Sequence, residues 1–134
     1  MFNGEITIKR VNVKRWELVG DVSYQNEKLK VTAKSGLKTD GASIPRAFWG
    51  VIGSPLTGKY VKSAILHDAL YASEALPRKQ CDELFREMLK AEGVSMWRRN
   101  TMYWAVRAGG GRVWKRHTKK SIDRGRRYCE VIGF

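Results

Sequence analysis

Glu27-Lys28-Leu29-Lys30-Val31-Thr32-Ala33 alternates polar and apolar side chains, and beyond Gly36 the alternation gives way to a loop punctuated by Gly and Pro. A period of two places Leu29, Val31 and Ala33 on one side of a strand and Lys28, Lys30 and Thr32 on the other, the pattern of a half-buried sheet. Upstream, Glu5 to Arg10 and Arg15 to Tyr24 also read as strands, with Gln25-Asn26 as the turn of a hairpin into Glu27 to Ala33. From Thr57 onward the apolar residues recur at three and four, the helical spacing. Strands first and helices afterwards, without βαβ alternation, predict an α+β fold: N-terminal antiparallel strands followed by a bundle of about three helices.

The first helix is expected from about Gly58 to Ala72, with Val61, Ala64, Ile65, Ala69 and Leu70 as its apolar stripe. Pro77 suits the start of a second, running to about Ala91 with Cys81, Leu84, Phe85, Met88 and Leu89 inward and Gly93 stopping it. Ser95 is placed to cap a third, Met96 to Ala108, in which Trp97, Thr101, Trp104, Ala105 and Ala108 share a face and Gly109-Gly110-Gly111 ends the element. The aromatic residues of this helix, Met96 and Met102 beside them, are expected in the core.

The chain has 134 residues, enough for one domain with a core that needs neither disulfides nor metal. We set the domain at residues 1–116 and treat 117–134 as a basic C-terminal extension. Lys and Arg number 26 against 13 acids, a net +13 that favours phosphate, nucleic acid, anionic headgroups or acidic protein surfaces as partners. Eight of those cations, Arg112, Lys115, Arg116, Lys119, Lys120, Arg124, Arg126 and Arg127, fall between residues 112 and 127 with Asp123 the lone acid. They form a candidate anion-binding arm with Trp114 able to stack or anchor, or else a solvated surface. Cys129 to Phe134 is apolar enough to fold back on the core. Cys81 and Cys129 share no metal-ligand or disulfide spacing, which fits a reducing compartment. The Met1 to Glu5 start lacks the features of a secretory signal and no run has bilayer-spanning length, so the expectation is a soluble protein made in the cytoplasm.

Two short motifs hold the chemistry: Thr39-Asp40-Gly41-Ala42-Ser43-Ile44-Pro45 and His67-Asp68-Ala69-Leu70-Tyr71. Asp40 and Gly41 suit a tight turn, and Ser43 suits the cap of a short helix at 46–49. His67 shares a helix face with Ser63 and Tyr71, whereas Asp68 points about 100° away. Asp82, at the edge of the second helix's apolar stripe, needs a partner if buried: His67, an Arg or a backbone amide. Ser43, His67 and Asp82, with Asp68 beside them, are the catalytic candidates, although no G-x-S-x-G elbow surrounds Ser43. His67, Asp68, Asp82 and Asp40 are acceptable ligands for a divalent metal. Adjacent His and Asp also occur in metal-dependent HD phosphohydrolases, which need further His ligands, and His117 is the sole other His here. The third arrangement is structural: Asp40, Ser43, His67, Asp68 and Asp82 as a satisfied polar network.

Thr39 to Arg46, Phe48-Trp49, Tyr60, His67-Asp68 with Leu70-Tyr71, Asp82 with Phe85, Gly93-Val94, and Met102-Tyr103 with Val106-Arg107 resemble the signatures of the small tailed-phage and prophage proteins called domain of unknown function 1353. The resemblance spans roughly residues 30 to 114. It implies a phage or prophage origin and a place among virion, tail-assembly or lysis proteins, with Asp40, Ser43, His67, Asp68 and Asp82 as the site-like positions. The expected function is a virion-associated structural, tail or assembly component that meets other virion proteins. The alternatives are a small cell-wall-directed hydrolase built on His67 and nearby carboxylates, with a divalent metal as its possible cofactor, and non-specific nucleic-acid binding through the basic segment.

Overall fold

The computed structural model describes residues 1–11, 16–39 and 60–134. Asp40, Ser43 and the expected short helix at 46–49 lie outside the described residues. The order of elements is β1 (Phe2–Asn3), β2 (Ile8–Arg10), β3 (Trp16–Leu18), β4 (Val22–Gln25), β5 (Leu29–Ala33), β6 (Lys38–Thr39), α1 (Val61–Ser73), α2 (Arg78–Ala91), α3 (Met96–Lys115), α4 (Lys119–Arg126) and β7 (Cys129–Gly133). The class is α+β, with antiparallel strands first and four helices, not about three, among the described residues.

The hairpin forms where Asn26 turns the chain. Its side-chain oxygen accepts from the amides of Lys28 and Leu29, and β4 pairs β5 with Tyr24 opposite Val31. The expected Arg15 to Tyr24 strand is in fact two. β3 ends at Leu18, and β4, starting at Val22, belongs to a different sheet. Gly20, at φ +84°, turns the chain between them. One antiparallel sheet has the order β1-β4-β5-β7 and the other β2-β3-β6. β7 pairs with β5 along five residues, Cys129 opposite Ala33 through Gly133 opposite Leu29. The apolar C-terminus therefore folds back as an integral strand, and residues 117–134 supply one helix and one sheet edge.

α1 occupies the centre. Ser63, Ala64, Ile65, Leu66, His67, Ala69, Leu70, Tyr71 and Ser73 are all buried, so this helix is covered nearly all round by the four-stranded sheet, α2 and α4. Each fully buried Ile or Leu contributes roughly 1.5–3 kcal/mol. The first turn of α1 is held from outside, where Glu92 at the end of α2 accepts from the Ser63 amide at 2.7 Å and its hydroxyl at 2.6 Å. The carboxylate thus meets the positive end of the helix. α2 buries Cys81, Leu84, Phe85, Met88 and Leu89, the face read from its spacing.

α3 departs from expectation twice. It does not stop at Gly109-Gly110-Gly111 but continues to Lys115, and the middle glycine has a packing reason, since a Cβ on Gly110 would stand 2.5 Å from the Tyr71 hydroxyl. Close approach to α1 sets the residue there, and packing overrides the weak helix propensity of glycine. Its inward face is Met102, Tyr103, Ala105, Val106 and Gly110, while Met96, Trp97 and Trp104 are exposed. Of the residues expected in the core, Met102 and Tyr103 are there and Ala105 of the stripe with them, whereas Met96, Trp97 and Trp104 face out. α4 approaches α1 just as closely, since a Cβ on Gly125 would fall 2.2 Å from the Ala72 carbonyl oxygen. No described helix is long and apolar enough to cross a membrane.

Candidate functional site

His67 and Asp68 are neighbours on α1 with separate destinations. His67 points into the interior, where its Nε2 lies 2.7 Å from Asp82 Oδ1, and both side chains have no exposure to solvent. The Tyr71 hydroxyl, one turn along α1, donates to the same Asp82 oxygen at 2.6 Å. Arg107 of α3 donates to Asp82 Oδ2 at 2.8 Å, and the Arg78 guanidinium stands 3.6 Å from that oxygen. One carboxylate of α2 is therefore gripped from α1 on one side and from α3 on the other.

The electrostatics follow from those partners. Burial alone would push the Asp82 carboxyl up. The hydrogen bond and charge of His67, followed by the bonds from Tyr71 and Arg107, outweigh it and hold Asp82 below the ordinary carboxylate range. An ionised carboxylate only accepts, so His67 Nε2 carries the proton in their bond. Tyr71 is shifted oppositely: burial, and then the Asp82 hydrogen bond, raise its phenol far above the usual value. Arg78 completes the assembly by donating to the carbonyl oxygens of Val106 and Arg107, which anchors α2 to the middle of α3. The His67 ring also packs against Tyr71 and Phe85 at centroid distances of 4.4 and 4.5 Å. No buried side-chain nitrogen or oxygen among the described residues lacks a hydrogen-bond partner.

Asp68 leaves this interior. It accepts a hydrogen bond from the Thr39 hydroxyl, joining the first residue of one motif to the second residue of the other. Both border a cavity of about 480 Å3 whose other walls include Tyr71, His117, Arg124 and Tyr128. His117, at the turn between α3 and α4, is tied to Glu74 at 3.0 Å. Of the residues grouped from the sequence, then, His67 and Asp82 meet directly, while Asp68 faces a separate cavity with Thr39. Asp40 and Ser43 lie outside the described residues. No group of three or more His, Cys, Asp and Glu that could hold a metal ion occurs among the described residues, and His67 Nε2 is directed at Asp82.

Tyr71, Arg78 and Arg107 belong to the site without having been singled out as site residues. The signal available was the need of a buried Asp for a cation, and Arg107 follows the inward Val106. The basic set is laid over two helices: Arg112 and Lys115 in the last turns of α3, Arg116 at its end, Lys119, Lys120, Arg124 and Arg126 on α4, and Arg127 at the end of α4. Thr118 and Ser121 cap α4 reciprocally. Arg126 donates to the Ser73 carbonyl oxygen at 3.2 Å, and Arg124 borders the cavity.

Residues 16–106, which carry β3 to β6 and every member of the Asp82 clamp except Arg107, match the model of the family described as "Protein of unknown function (DUF1353)". The chain belongs to that family. The match begins earlier and ends sooner than the span over which the motifs were recognised, and it leaves the basic helix α4 outside. The chain is 36% identical over 105 residues to "Uncharacterized protein y4jT" of Sinorhizobium fredii (strain NBRC 101917 / NGR234), covering 78% of this chain and 31% of that one. It is 32% identical over 75 residues to "Uncharacterized protein y4iH" of the same strain, covering 56% of this chain and again 31% of the relative. The chain thus spans less than a third of the length of these curated relatives. No solved structure matches it.

Proposed function

We propose that this protein is an interaction module, a virion-associated structural, tail or assembly component of a phage or prophage. The observation that supports this most is the state of Asp82. Its two oxygens are occupied by His67, Tyr71 and Arg107 at zero exposure, so the most site-like carboxylate spends its hydrogen-bonding capacity on joining three helices. Groups used in this way fix a shape, and the solvent-facing surface, with most of the net +13, is what other proteins meet. The phage setting comes from the signature motifs. Particles purified on a density gradient and quantified by mass spectrometry against their major capsid protein test the reading. A reproducible copy number per particle supports it, and absence from intact particles with retention in the soluble lysate contradicts it.

A second reading rests on the 2.7 Å His67–Asp82 pair, which has the base-and-orienter spacing of a hydrolase, with Ser43 or a metal-bound water as the attacking group. Release of soluble fragments from purified cell wall, lost on His67→Ala in a variant that still melts cooperatively, would favour it over the structural role. Non-specific nucleic-acid binding through residues 112–127 is the third reading, and gel-shift titration of a truncated chain tests it.

A further inference from the structure

The outward face of α3 has a composition that the interior does not explain. Trp97 and Trp104 are 68% and 64% exposed, a solvation that two indoles on one helix do not ordinarily keep. They are seven residues apart, so they lie on one face about 10 Å apart along the axis. Thr101 and Ala108 fill the same face without competing in bulk, and the exposed Arg112 and Lys115 continue it toward the C-terminal end. α3 contains five cations, Arg98, Arg99, Arg107, Arg112 and Lys115, and no acid. Arg107 is engaged on Asp82 and Arg99 donates to the Val94 carbonyl oxygen, whereas Arg112 and Lys115 project into solvent.

We propose that this face binds single-stranded nucleic acid, with Trp97 and Trp104 as stacking platforms for unpaired bases and Arg112 and Lys115 engaging the phosphates beyond Trp104. The charge selects a polyanion, and the flat exposed indoles select one that presents π-faces. Their separation corresponds to about three nucleotide steps at the stacked rise of roughly 3.4 Å. Duplex DNA offers the same phosphates but keeps its base faces covered. An anionic bilayer fits less well, because Met96 and the two indoles are the only bulky apolar groups on that face among the described residues and an interfacial helix needs a wider apolar band. An acidic helical partner fits less well too, since the face lacks the run of apolar anchors a groove would take up. The inference does not depend on particle location.

The test uses the full chain and a fluorescent sixteen-nucleotide oligo-dT, with anisotropy read across a salt series. The unmodified protein is expected to bind, to bind a duplex of equal length several-fold more weakly, and to lose affinity steeply as salt rises. Trp97→Ala with Trp104→Ala is expected to weaken oligo-dT binding by about tenfold or more, while Trp97→Phe with Trp104→Phe stays within a few-fold. Trp104 touches the Tyr103 ring. If the alanine pair loses its melting transition, Trp97→Ala alone, in the first turn of α3, takes over the comparison. Equal affinities for the unmodified and alanine forms would overturn the proposal, as would equal affinity for duplex. It would also fail if poly-glutamate, or vesicles of phosphatidylglycerol and phosphatidylcholine, bound more tightly than oligo-dT with the same dependence on the tryptophans.

Discussion

Asp82 and Asp123 both sit on helices rich in Lys and Arg, yet one organises the molecule and the other only decorates it. Asp82 of α2 has no solvent exposure and receives His67, Tyr71 and Arg107 from two other helices. Asp123 of α4 is exposed among cations. The difference shows that a carboxylate's role here is set by how many donors the fold brings to it, not by the sign of the surrounding sequence. The same contrast divides α3: its inner side anchors the carboxylate, and its outer side presents tryptophan and exposed charge.

The largest expected effect breaks the inner region. Asp82→Ala should destabilise by about 3–5 kcal/mol, because it strands the buried His67 and Tyr71 protons and the half-buried Arg107, whereas Asp123→Ala should stay within about 0.5 kcal/mol. Urea midpoints measure both, and equal midpoints with unchanged slopes would remove the distinction. Next comes the glycine run. Gly110→Ala should cost about 1–3 kcal/mol, since its Cβ would stand 2.5 Å from the Tyr71 hydroxyl. Gly111→Ala meets only the Arg78 guanidinium at 3.9 Å and should stabilise by up to about 1 kcal/mol through helix propensity. Substitutions of the same sign at both positions would mean that Tyr71 does not set the α1–α3 spacing.

Those glycines mark where the sequence was misleading. The period-two run at Leu29 to Ala33, the capping Ser95 and the apolar face of α2 are local signals, and each appears where its spacing put it. The course of α3 is not a local matter. Three consecutive glycines read as a stop unless one knows that a tyrosine from another helix lies against the middle one. The face of α3 was misread in part for a related reason: Trp97, Thr101, Trp104 and Ala108 do share a helical spacing with the buried Ala105, but the set through Met102, Val106 and Gly110 is the one α2 and Tyr71 cover. At the site, the His67–Asp82 pairing was among the partners foreseen for a buried Asp. An Arg was foreseen as well, but not which one, because a cation 25 residues away in sequence becomes a neighbour only through packing.

A smaller effect concerns pH. Asp82 is held below its ordinary value on folding, so its contribution is fully present above the unfolded value of about 4 and is lost as pH falls through the depressed folded value. Asp82→Asn should therefore flatten the fall in melting temperature on the acid side of about pH 4. Parallel acid limbs for the unmodified protein and Asp82→Asn would show that other carboxylates govern acid unfolding. The smallest effect is on the outer region: Lys119→Ala with Lys120→Ala should change the unfolding free energy measured in urea by less than about 0.5 kcal/mol, since both are exposed and neither holds the core.

The central claim is that His67 and Asp82 act as one buried unit that holds the helices. A double-mutant cycle on His67→Ala and Asp82→Ala, followed by urea denaturation, measures it directly. Each single variant should be strongly destabilised, and the double variant should be more stable than the sum of the two losses implies, with a coupling of about 1–3 kcal/mol. Losses that add to within about 0.5 kcal/mol would contradict the account, because two side chains 2.7 Å apart with no solvent between them would then be stabilising the fold independently.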